Sequence, residues 1–80
     1  MLDYYGTIML DENDIIKRII DSYQDKYEKN ALKNIVKEMM DEGTIEKEYS
    51  VSGWMVFFGK EIVEKVEERY LKKLNDAKKD

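Results

Sequence analysis

Eighty residues and 9.6 kDa suffice for one domain over 1–80 with one small core. Charged residues reach 40% against 42% hydrophobic, and the net charge of −4 argues against indiscriminate coating of nucleic acid. The chain contains no Cys, His or Pro; disulfides, Cys/His zinc sites and imidazole catalysis are excluded, and no metal or cofactor is expected.

No basic segment leads into an apolar one at the N-terminus, so a signal peptide is not expected and a cytoplasmic location is. Tyr4 to Leu10 is aromatic and β-branched, which predicts a short strand. Asp11 then serves as an N-cap with Asp14 at the third helical position, where a carboxylate also suits the helix dipole. Ile15, Ile16, Ile19, Ile20 and Tyr23 follow at helical spacing and form one apolar stripe over about 12–23. A second helix, at about 26–42, carries Ala31, Leu32, Ile35, Val36, Met39 and Met40 on one face. Its start is open between Asp25 as cap, with Glu28 folding back, and Asn30 as cap. Gly43 terminates it.

Thr44 to Val51, Ser52-Gly53 and Trp54 to Phe58 predict a β-hairpin. Pairing places Ile45, Tyr49, Val51, Trp54, Val56 and Phe58 on one face, with Glu46 and Glu48 opposite. Met55 and Phe57 make the second strand apolar on both faces, as a central strand would be. The same run is the longest apolar stretch and falls far short of the ~20 residues of a membrane span. A long helix over about 60–78 presents Ile62, Val63, Val66, Tyr70, Leu74 and Ala77 on one face, with Leu71 at its edge. The pairs Glu61–Lys65 and Glu68–Lys72 support its exposed side. The expected class is α+β: β-α-α-β-β-α, a three-stranded antiparallel sheet of order 1-3-2 and a long C-terminal helix that closes the core or dimerises.

The segment Leu32 to Ile45 resembles the recognition helix, acidic-Gly turn and first wing strand of winged-helix regulators. The following hairpin and closing helix are similar to those of PadR-like and MarR-like proteins. The resemblance covers roughly residues 8–75 and implies a DNA-binding domain. Two departures stand beside it: no usual first helix fits before Asp11, and the wing tip Ser52-Gly53 carries no Arg or Lys.

Residues 26–37 hold four lysines and one acid, a local +3, whereas 1–24 hold five acids against Lys17 and Arg18. On a helix, Lys26, Lys29, Asn30, Lys33 and Lys37 share a sector of about 100° opposite the apolar stripe, and Asn34 borders it. That is the chemistry of a major-groove helix, with Lys for phosphate and guanine and Asn for adenine. It is also an ordinary solvated face, since Lys forms helices well. Asp11-Glu12-Asn13-Asp14 lacks the further ligands of a calcium loop. No base stands beside Ser22, Ser50 or Ser52, so the chain is not expected to be an enzyme.

Two functions follow as expectations. One is a small transcriptional regulator, a homodimer contacting duplex DNA through Lys26, Lys29, Asn30, Lys33, Asn34 and Lys37. The other is an acidic protein-interaction module, an adaptor or inhibitor of the kind mobile elements also encode, docking a protein partner through Met55, Phe57 and Leu71. Neither contacts a membrane.

Overall fold

Asp11 opens the first helix of the structure, a computed structural model that describes residues 8–78. Its carboxylate accepts the Asp14 N–H at 2.9 Å, and the Asp14 carboxylate accepts the Asp11 N–H at 3.4 Å. This reciprocal box satisfies donors that a helix start leaves free. Helix α1 (Glu12–Ser22) then buries Ile15, Ile16 and Ile19. Gln24 (φ 48°) and Asp25 (φ 66°) turn the chain through the left-handed region. Helix α2 (Lys29–Asp41) follows, capped by Glu28, whose carboxylate accepts from Asn30 N–H at 3.2 Å and Ala31 N–H at 2.9 Å. Neither Asp25 nor Asn30 is the cap, and Lys26 precedes the helix. At the other end Gly43 has φ +88°. Gly43 N–H donates to the Met40 carbonyl and Thr44 N–H to that of Met39, a Schellman closure that favours glycine at this position.

The three-stranded sheet of order 1-3-2 does not form. Strand β1 (Met9–Leu10) pairs antiparallel with β2 (Tyr49–Ser50), Met9 opposite Ser50 and Leu10 opposite Tyr49, and this two-stranded ladder is the whole sheet among the described residues. The expected strand Trp54–Phe58 is helical instead. The Ser50 hydroxyl accepts the Gly53 N–H at 3.0 Å and starts a helical turn, Val51–Gly53. A π-helical segment, Trp54–Phe58, continues it into α3 (Gly59–Lys78). Ser52-Gly53 is therefore neither a hairpin turn nor a wing tip, and the hairpin and sheet that the winged-helix resemblance implies are absent from the described residues. The physical reason is local closure. A continuous helix satisfies its backbone donors within itself, whereas a central strand at 54–58 needs partners on both edges and cover on both faces. Tyr4 and Tyr5, expected in the first strand, lie outside the described residues.

The π segment has a packing consequence. Gly59 N–H bonds to the Trp54 carbonyl five residues back, so Trp54 lies over Gly59. In a regular α-helix five residues would leave the two about 140° apart around the axis. Trp54 is thereby turned into the core, where it is 6% exposed, with its ring centroid 5.5 Å from that of Tyr49. One apolar cluster joins α1, α2 and α3, with Ile15, Ile19, Leu32, Val36, Ile45 and Val66 fully enclosed. The apolar stripe of α3 reaches this core only as far as Tyr70; Leu74 and Ala77, expected to continue it, are exposed. Arg69 ties α3 to the end of α2 through Glu38 at 3.2 Å and Glu42 at 2.7 Å, and Lys73 reaches Glu38 at 3.2 Å. Among the described residues no helix is long and apolar enough to cross a membrane.

Candidate interaction surface

The five polar residues expected to share a sector, and Asn34 expected at its border, divide into four groups. Lys26 sits in the turn before α2, its Nζ 3.6 Å from Glu67 Oε2 and 5.2 Å from the centroid of the Tyr27 ring. Lys29, the first residue of α2, pairs with Asp25 at 3.3 Å; Asn30 beside it is exposed, its backbone N–H held by Glu28. Lys33 and Lys37 stand one turn apart on α2, exposed, and form no ion pair among the described residues. Asn34 turns toward α3, lining a groove of about 470 Å³ together with Ile35, Tyr70 and Leu74. Two of the four ammonium groups thus have intramolecular acids, and Lys33 and Lys37 are the two of the four without one among the described residues.

The apolar residues behave differently. Met55 and Phe57 are 71% and 72% exposed, Val56 is 69% exposed and Phe58 41%. Their exposure follows from the helix. Trp54 and Gly59 take the core-facing positions at either end of the π segment, and the four side chains between them fan around the remaining circumference. Phe58 leans on Tyr49, with centroids 5.0 Å apart, and on Phe57 at 6.2 Å. The Val51 N–H donates to the Ile8 carbonyl at 3.1 Å, and on β1 Ile8 and Met9 are also exposed. Arg18 lines one groove with Met55 and Lys60 and another with Met9 and Val51. Leu71 is exposed too, but on the far part of α3.

Val56 and Phe58 are members of this surface that the alternation of a hairpin conceals. A usable signal exists: five consecutive apolar residues exceed what one buried helix stripe can absorb. A second feature, at the junction of α1 and α3, carries no comparable signal because its partners are 40 residues apart. There the Tyr23 hydroxyl donates to the Val63 carbonyl, and the Tyr27 hydroxyl donates to Glu67 Oε2 at 2.6 Å. Burial, then the nearby Glu67 and Tyr27, push the Tyr23 hydroxyl up to about 12. The Tyr27 hydrogen bond, with Lys26 adding its charge, holds the Glu67 carboxyl below the usual carboxylate range. These groups are satisfied by one another and serve as a structural clasp.

Compared with known proteins, the chain matches no family model, no curated protein and no solved structure.

Proposed function

We propose that the chain is a protein-interaction module that docks through the helical surface Met55-Val56-Phe57-Phe58. The single observation that carries this role is the exposure of those four consecutive side chains, 41–72% each. Leaving large apolar groups in water is unfavourable by about 25 cal/mol per Å², so a run of side chains exposed in this way supports a segment that a partner covers. Aromatic and Met side chains are also those enriched where protein surfaces meet. The role requires no catalytic group and suits a molecule of net charge −4.

A second role, contact with duplex DNA, is favoured by one observation: Lys33 and Lys37 are exposed without intramolecular acids among the described residues. Two cations predict weak binding whose constant falls with salt at a log–log slope of about −2. One experiment separates the roles. A photoreactive phenylalanine analogue is placed at position 57 or at position 33, and the protein is irradiated in the cells that express it. Docking predicts a discrete protein adduct from position 57, suppressed when Met55→Glu is added, and none from position 33. Nucleic-acid adducts from position 33, with position 57 silent, contradict docking and support the DNA role.

A further inference from the structure

We propose that the groove between the closing turn of α2 and the middle of α3 is a seat for a compact phosphate-bearing anion. It shares no residue with the Met55–Phe58 surface and does not rest on the docking role.

The groove, about 310 Å³, is lined by Met39, Thr44, Lys65, Glu68, Arg69 and Lys72. Three cations thus face one acid, in a chain whose net charge is −4. The grooves described above carry a smaller excess or none. The one beside Asn34 has Glu28 and Glu38 against Lys73, the one beside Met55 has Arg18 and Lys60 against Glu64, and the one beside Met9 has two of each sign.

Helical spacing sets these cations on one side. Lys65, Arg69 and Lys72 stand at i, i+4 and i+7, within about 60° around α3 and about 10 Å along it. Lys65 and Lys72 are exposed and form no ion pair among the described residues. Arg69 is held in place by α2, its Nη1 donating to Glu38 Oε1 at 3.2 Å and to Glu42 Oε2 at 2.7 Å. A guanidinium has five N–H donors, and those on Nε and Nη2 have no acceptor among the described residues. Those donors, the two ammonium groups and the Thr44 hydroxyl form the set that a phosphate group accepts from.

The acids decide which anion gains. Glu68 in the lining, with Glu38 and Glu42 on Arg69, offsets much of the attraction for a singly charged carboxylate. A phosphate group brings about 1.5 to 2 negative charges near pH 7 and three acceptor oxygens, so it engages all three cations at once. Small-molecule sites begin at about 300 Å³, and a groove of this size takes a phosphate or diphosphate rather than an extended chain.

The experiment is an NMR titration of the full chain with pyrophosphate at fixed low ionic strength, following backbone amides and the Arg69 Nε–H. Saturable shifts confined to Thr44, Lys65, Arg69 and Lys72 are expected, with a dissociation constant on the order of 1 mM. Lys65→Gln combined with Lys72→Gln is expected to weaken binding about tenfold through two lost charge-assisted contacts. Both side chains are exposed, so this variant folds, which far-UV circular dichroism verifies. Lys33→Gln with Lys37→Gln is expected to change nothing. Shifts that do not saturate, that spread equally over Lys17, Lys33 and Lys60, or that survive the Lys65 and Lys72 substitutions overturn the site. Equal binding of citrate, a carboxylate of similar charge, overturns the assignment to phosphate. A second arm sediments the chain with phosphatidylcholine vesicles containing phosphatidic acid. Co-sedimentation that the double substitution abolishes supports the seat with a lipid headgroup as source, and a response to pyrophosphate alone supports it with a soluble phosphate.

Discussion

Tyr23 brings a hydroxyl into the seam between α1 and α3, where it is 8% exposed and donates to the Val63 carbonyl. Burial favours the neutral phenol, so its pKa rises from the ordinary 10.0 to about 12 in the folded chain. The sign follows from linkage: stability from this group is fully present below pH 10 and is lost as pH rises toward 12. Denaturant titrations should show the wild type losing stability from this source across that window, by about 1–2 kcal/mol once solvent screening is allowed for. Tyr23→Phe should cost about 1 kcal/mol at neutral pH through the lost hydrogen bond, then lose less than the wild type on going alkaline. Parallel losses in both proteins would exclude this role for Tyr23. Residues whose duties are local were legible in the sequence: Asp11 and Asp14 close a box three positions apart, and Gly43 takes the one left-handed position that ends α2. Glu28 was not, because the turn before it passes through Gln24 and Asp25 at positive φ with no glycine to mark the place.

At the scale of elements the instructive segment is Trp54–Phe58. Its β-branched and aromatic residues, preceded by Ser-Gly, satisfy every local criterion for a strand after a turn. The competing signal is Ser50, which caps the helical turn that begins at Val51 and lets α3 extend backward without interruption. The π register then resolves where Trp54 goes, and it depends on Gly59. A Cβ at Gly59 would stand 2.9 Å from both the carbonyl oxygen and Nε1 of Trp54, closer than carbon tolerates against a fixed backbone atom. Alanine is the better helix former by about 1 kcal/mol, but forcing a methyl into a packed site costs about 1–3 kcal/mol. Gly59→Ala is therefore expected to destabilise by about 1 kcal/mol net and to shift the emission of Trp54, the single tryptophan, toward that of a solvated indole. Unchanged emission with raised stability would show that Trp54 does not pack over Gly59.

For the whole molecule, the three apolar helix stripes of α1, α2 and α3 were readable because each obeys a local period. The sheet was not, because pairing partners are set by tertiary competition rather than by propensity. The four lysines share one sector only on a helix that already includes Lys26. With α2 starting at Lys29, Lys26 and Lys29 find acids, whereas Lys33 and Lys37 have none among the described residues. Strand alternation makes Met55 and Phe57 the second face of a central strand. They are outward on a helix, together with Val56 and Phe58, and the surface is larger than alternation suggests. The most direct measurement is NMR of residues 51–58, combining backbone chemical shifts with relaxation by a soluble paramagnetic agent. Helical shifts throughout are predicted, with Met55 and Phe57 strongly relaxed in dilute solution. Strand-like shifts over 54–58, or a Phe57 protected in dilute solution, would contradict an outward-facing helical surface.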